Sequence, residues 1–266
     1  MTRRGALLVA AGSCAVRAQS ILDLTPPKAD ARLSYGADAN QFGDLRMPQG
    51  KGPHPVVIFI HGGYWRSAYD LVHTGHLCAA LTSAGAATWN IEYRRIGNPG
   101  GGWPGTFDDV RRAAEYIKTL PAKYPVDLTK VVVAGHSAGG HLALWLAAKR
   151  AIELRAAVSL AGVSDLRRAW DLQLSGGVVG QLLGGSPKEV PERYAAASPI
   201  EMLPISVPQR LIHGTADDIV PFAISEHFSA VSKNARLVPL PGAGHFEPID
   251  PRSKEWATVE KNILAF

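Results

Sequence analysis

Short, unbroken apolar runs alternate with longer amphipathic stretches along most of the chain. Val56-Val57-Ile58-Phe59-Ile60 is apolar at every position, the pattern of a strand covered on both faces. Residues 87–91, 131–134, 156–160, 210–213 and 236–240 complete a set of predicted strands. Between them, helical spacing predicts helices over 71–84, 106–120, 137–150, 222–232 and 255–266. Gly85 stands as a stop after the first of these, since glycine readily takes the left-handed conformation that ends a helix. Thr106-Phe107-Asp108-Asp109 has the form of a capping box with Asp in place of Glu. Strand–helix alternation of this kind predicts an α/β domain with a mostly parallel central sheet and helices on both faces.

One interval breaks the alternation. About fifty residues between Leu160 and Arg210 carry no clear buried strand and are interrupted by Gly176-Gly177, Gly184-Gly185 and Pro187. An insertion after the carboxyl end of a strand is where a small cap over a site would sit, here about 164–206. A helical excursion on the surface reads the same pattern equally well.

At 266 residues, 46% hydrophobic and 19% charged, the chain has material for a full core, and long disorder or a collagen-like fibre is excluded. Twenty-eight basic against twenty-three acidic residues give +5. Discounting Arg3, Arg4 and Arg17 leaves twenty-five against twenty-three, or +2. No basic run remains that would point to nucleic acid. Residues 1–18 read as an export signal: a basic start at Arg3-Arg4, an apolar stretch from Ala6 to Ala11, and Val16-Arg17-Ala18 as a small-x-small cleavage site. A plain N-terminal extension is the alternative. Residues 19–32, with Thr25-Pro26-Pro27, read as a linker, leaving 33–266 as the domain. No other stretch reaches the ~18 apolar residues of a membrane span. Of the two cysteines, Cys14 falls in the signal and Cys78 reads as a small buried hydrophobe.

Gly135-His136-Ser137-Ala138-Gly139 matches G-x-S-x-G at the junction of a predicted strand and helix. A turn this tight strains the serine backbone and needs small neighbours. It also sets the Ala138 N–H at a helix N-terminus, where it can stabilise an oxyanion. His213-Gly214-Thr215-Ala216-Asp217 follows one strand, and Gly242-Ala243-Gly244-His245 follows the last. The order Ser137, Asp217, His245 fits a nucleophile, an orienting acid and a general base. Asp218 is the rival acid, though better suited to solvent or a helix cap. His136 and His213 read as core histidines with satisfied nitrogens. His61-Gly62-Gly63-Tyr64-Trp65 follows the strand at 56–60, so a backbone N–H of Gly63 or Tyr64 can supply a second oxyanion donor. Trp65 and Trp103 are candidate walls of the substrate cleft. Neither H-E-x-x-H nor paired-cysteine spacing occurs, so zinc has little support.

With these motifs the chain resembles the α/β-hydrolase superfamily from about Leu33 onward. His61-Gly62-Gly63-Tyr64-Trp65 and Gly135-His136-Ser137-Ala138-Gly139-Gly140-His141-Leu142-Ala143 are similar to the kynurenine formamidase (arylformamidase) group. Esterases that remove acetyl or feruloyl groups from carbohydrates share much of the same signature. The resemblance implies an α/β-hydrolase fold, Ser137 as nucleophile, Asp217 as acid, His245 as base, and Gly63, Tyr64 and Ala138 around the oxyanion hole. It implies hydrolysis of a small ester or an N-formyl arylamide, without metal or cofactor. A peptidase of the prolyl-oligopeptidase type shares the Ser-Ala-Gly-Gly stretch but carries a large gating domain, for which this chain is too short. A catalytically dead binding protein is disfavoured because all three triad positions are filled.

Overall fold

In the computed structural model, which describes residues 20–266, eight strands join into one sheet. They are β1 (Ala31–Ser34), β2 (Phe42–Arg46), β3 (His54–Ile60), β4 (Ala87–Ile91), β5 (Val126–His136), β6 (Ala156–Leu160), β7 (Gln209–Gly214) and β8 (Ala235–Leu240). Their spatial order is β1-β2-β4-β3-β5-β6-β7-β8. From β4 to β8 every pairing is parallel, whereas β1–β2 and β2–β4 are antiparallel. The sheet and its helices are those of an α/β-hydrolase. Each strand expected from an apolar run lies within an observed one.

The all-apolar character of β3 follows from its position. Val56, Ile58 and Ile60 enter one core cluster and Val57 and Phe59 the other, because side chains alternate across a strand. The first cluster is closed by α2 (Gly105–Tyr116), α3 (Ala138–Lys149) and α7 (Ala223–Val231), through Val110, Leu142 and Phe228. The second is closed by α1 (Gly75–Ser83) and α8 (Trp256–Ile263), through Leu77, Leu81, Val259 and Ile263. Each such aliphatic side chain contributes about 1.5–3 kcal/mol by leaving water. Cys78 is fully buried in the second cluster, its thiol pushed up to about 12 by burial.

Several expectations need correction. Residues 19–32 are not a free linker over their described part: Ile21 is buried in the second cluster and β1 already begins at Ala31. Thr106 is no helix cap, since it lies inside α2, where its hydroxyl donates to the Arg94 carbonyl. Asp109 turns inward instead, fully buried, accepting from the Arg94 guanidinium at 2.7 and 2.8 Å and from Gln41 at 2.7 Å. The export-signal expectation at 1–18 lies outside the described residues. Among the described residues no helix is long and apolar enough to cross a membrane.

The interval after β6 holds α4 (Leu166–Asp171), α5 (Val178–Leu183) and α6 (Pro191–Ala197). Val178, Val179, Leu182 and Leu183 are buried and continue the first cluster. Polar tethers add to this packing. The indole of Trp65 donates to His141 Nδ1 at 3.2 Å, and His141 Nε2 donates to the Ala197 carbonyl at 2.9 Å. Trp145 donates to Ala196 at 3.1 Å, Arg66 to Ser175 at 2.8 Å, and the Trp103 N–H to Leu182 at 2.8 Å.

The bond from Trp65 needs His141 neutral, and burial pushes its pKa down to about 4, against ~6.5 in an unfolded chain. Between those values the unfolded state binds a proton that the folded state excludes. Stability is therefore complete above about pH 6.5 and falls as pH drops toward 4. Urea unfolding is expected to show a loss of about 2–3 kcal/mol from this residue between pH 7 and pH 4.5. His141→Gln, which keeps a donor and an acceptor but cannot titrate, should flatten that part of the profile. An unchanged slope in the variant would assign the acid sensitivity elsewhere.

Candidate active site

Ser137 sits between β5 and α3 with φ 56° and ψ −119°, a strained conformation for a non-glycine residue that costs about 1–3 kcal/mol. The strain is enforced by close backbone approach on both sides. A Cβ on Gly139 would stand 1.9 Å from the Ile60 carbonyl oxygen, and one on Gly135 would stand 2.2 Å from that of Gly139. The two glycines of the motif are thus steric requirements of the turn. Parallel pairing sets Ile60 opposite Gly135, which brings the loop after β3 against the elbow. The Ser137 N–H donates to Leu160 at 2.8 Å, fixing the turn against β6.

The loops after β7 and β8 are held together by register. Gly214 pairs with Leu240, and the Ala216 N–H donates to Ala243 at 2.9 Å. This brings Asp217 and His245 together: His245 Nδ1 lies 2.7 Å from Asp217 Oδ2, with both side chains almost wholly buried. Asp217 Oδ1 accepts from the backbone N–H groups of Ile219 at 2.9 Å and Val220 at 2.8 Å. Burial alone would favour the neutral acid, but donors from His213, His245 and the backbone hold its carboxyl well below the usual carboxylate range. Asp218 is exposed. The His245 ring lies against that of His136, the residue before Ser137, with centroids 4.6 Å apart. His136 Nε2 donates to the His245 carbonyl at 2.9 Å. Burial and the neighbouring His245 hold the His136 ring neutral, its pKa well below the usual value. His136 is only half satisfied, because its Nδ1 is buried without a partner among the described residues. His213, by contrast, has partners at both nitrogens.

In the loop after β3, Tyr64 and Trp65 both have positive φ, 52° and 55°. Among the described residues, neither the Gly63 nor the Tyr64 N–H donates to another backbone carbonyl. The loop rests on Glu92, a residue that the sequence reading passed over. Its carboxylate is 2% exposed and accepts from His61 Nε2 at 2.9 Å, the Leu71 N–H at 3.2 Å and the Tyr93 N–H at 2.9 Å, with Arg95 at 3.1 Å. Burial opposes its ionisation, yet His61 and Arg95 keep its carboxyl below the usual range. A carboxylate one position beyond a buried strand was the available signal. Trp65 does not line a cleft. It is 1% exposed and serves as the donor to His141. Trp103 is half-buried and packs edge-on against Phe107.

A recess of about 860 Å³ lies at the opposite end of the central strands, lined by Ile117, Val131, Arg150, Ile152, Arg155 and Val207 among others. These residues cluster around the amino-terminal ends of the strands, away from the Ser137 elbow. Among the described residues no group of three or more His, Cys, Asp or Glu side chains is arranged to hold a metal ion.

Comparison with known proteins adds three findings. The family model described as BD-FAE matches residues 44–231. The esterase LipC of Mycobacterium tuberculosis is 29% identical over 249 residues, covering 82% of this chain and 60% of LipC. LipQ, an esterase of the same organism, is 28% identical over 212 residues, covering 72% and 50%. The chain therefore spans about half to three-fifths of the length of such relatives. Among solved structures, esterase B from Lactobacillus rhamnosis superposes with a TM-score of 0.76 at 21% identity, covering 91% of this chain and 88% of that one. A truncated carbohydrate esterase from gut microbiota gives 0.74 at 22% identity, covering 90% and 94%. At these identities the structural matches speak for the fold.

Proposed function

Because the chain belongs to the BD-FAE family, we propose that it is a serine hydrolase of small carboxylic esters. The observation that carries this reading is the Asp217–His245 pair set beside a strained serine elbow. In the proposed reaction His245 takes the Ser137 proton as Oγ attacks the ester carbonyl. Asp217 holds the imidazole in the tautomer that leaves Nε2 free to accept, and stabilises the imidazolium that forms. The Ala138 N–H, with that of Gly63 or Tyr64, stabilises the oxyanion. His245 then returns the proton to the leaving alkoxide, and water releases the acid from the acyl-Ser137 intermediate by the same steps.

Esters are favoured over N-formyl arylamides because LipC and LipQ carry the name esterase. A carbohydrate-linked acetyl or feruloyl ester is the finer form of the proposal. In it Trp103 is a substrate contact and the helices α4–α6 form one wall of the cleft. Delivery outside the cytoplasm belongs to the same proposal, carried by the basic and then apolar start of the chain. Initial rates on p-nitrophenyl acetate, longer acyl esters, feruloyl esters and N-formylkynurenine test it. Turnover of the esters at least about tenfold faster than N-formylkynurenine is expected, a difference of only ~1.4 kcal/mol in barrier. The reverse order would make the chain a formamidase.

A further inference from the structure

His213 was expected to be a core histidine with no part in the chemistry, and it is fully buried. Its contacts say more. Nε2 lies 3.1 Å from Asp217 Oδ2 and 2.9 Å from the Val220 carbonyl oxygen. Both oxygens can only accept, so Nε2 carries a proton. Nδ1 lies 2.7 Å from the Ser225 hydroxyl, which can donate to it, so one neutral tautomer satisfies every contact. Ser225 is itself buried on the first turn of α7, and Phe222 closes over the ring edge-on at 5.6 Å.

Asp217 Oδ2 therefore receives two imidazole N–H groups, from His245 and His213, while Oδ1 receives two backbone N–H groups. We infer that Ser225 and His213 extend the triad backwards as positioning residues, with His213 holding the oxygen that His245 uses. This rests on the hydrolase reading of the same site. Without the second donor, Oδ2 is free to swing out of line with His245 Nδ1, and its charge concentrates on the one remaining bond. His213 touches neither substrate nor reacting atoms, so its effect passes through Asp217. Ser225 in turn keeps the His213 ring from flipping, because a flip exchanges Nδ1 with Cδ2 and Nε2 with Cε1 and would turn ring carbons toward both the hydroxyl and the carboxylate.

The test compares His213→Phe, His213→Gln and Ser225→Ala in the full chain, with two readouts. The first is steady-state hydrolysis of p-nitrophenyl acetate. His213→Phe is expected to lower kcat about 10- to 100-fold, the kinetic equivalent of one hydrogen bond to a charged group, with KM nearly unchanged. His213→Gln, which retains an N–H donor, should recover most of that loss. The second readout is the low-field proton resonance of the His245 Nδ1–H···Oδ2 bond, which needs no turnover. It should move in His213→Phe, return toward its original position in His213→Gln, and move in the same direction by a smaller step in Ser225→Ala. A resonance unaltered in all three variants would overturn the inference, as would equal losses of kcat in the Phe and Gln variants. Should wild-type protein hydrolyse no ester, the esterase reading fails while the resonance still decides the role of His213. Should His213→Phe fail to fold, the Gln and Ala variants decide by the same signal.

Discussion

Ser137→Ala is expected to lower kcat/KM for p-nitrophenyl esters by at least about 10⁴-fold and to leave the fold unaltered. The loss is large because the Ser137 hydroxyl is the nucleophile of the proposed reaction and alanine offers none. Gly135 and Gly139 impose the turn through backbone contacts with Gly139 and Ile60, so alanine inherits the same strained φ. The substitution removes one oxygen from a residue that is 3% exposed. The melting temperature should accordingly stay within a few degrees of wild type, whereas labelling by a fluorophosphonate disappears. Full activity in Ser137→Ala would place the nucleophile elsewhere.

Asp217→Asn should be nearly as damaging, with kcat reduced about 10⁴-fold and KM little changed. The carboxylate receives four N–H donors and offers none. An amide matches only half of that set. If its oxygen faces Ile219 and Val220, its NH₂ group confronts two imidazoles. His245 then meets the amide as an acceptor, which holds the proton on Nε2, where it blocks abstraction from Ser137. If the amide turns the other way, two partly buried backbone N–H groups lose their partner, at up to about 1–3 kcal/mol each. Rate and stability thus trade against each other in this variant. Measuring kcat alongside chemical denaturation separates the two orientations, and wild-type values for both would remove Asp217 from the mechanism.

The central strands and most helices were legible because their burial is simple. A strand covered on both faces is mostly apolar. Residues 56–60 of β3 and 131–134 of β5 are wholly so, while β6 departs only at Ser159 and β4 at Thr88 and Asn90. β1 and β2, at one edge of the sheet, hide for the opposite reason. β1 alternates partly buried with exposed residues, and β2 carries Asp44 and Arg46, both buried. The Asp44 charge is acceptable only because Arg32 on the neighbouring strand pairs with it at 2.8 Å, a tertiary fact that no local pattern announces. Asp109 and Thr106 misled for a related reason. Their spacing suited a local cap, while their partners Arg94 and Gln41 come from elsewhere in the chain. The candidate triad was legible because its residues follow strand ends in a recognisable order. Glu92, and the Ser225–His213 link behind Asp217, depend on side chains that meet only after folding. Trp65 was misjudged because an aromatic beside a glycine pair suits a cleft or a core equally, and only packing decides.

The ties from Trp65 through His141 on α3 to Ala197, and from Arg66 to Ser175, join the loop after β3 to the segment after β6. Its helices are masonry and not a door. Their inner residues belong to the main core, so swinging them outward would unpack Val178, Leu182 and Leu183 and break the bonds that steady the glycine loop. On the proposed reading, in which these helices wall the cleft, selectivity is a matter of static shape: a substrate that does not fit the wall as built gains nothing by waiting for it to open.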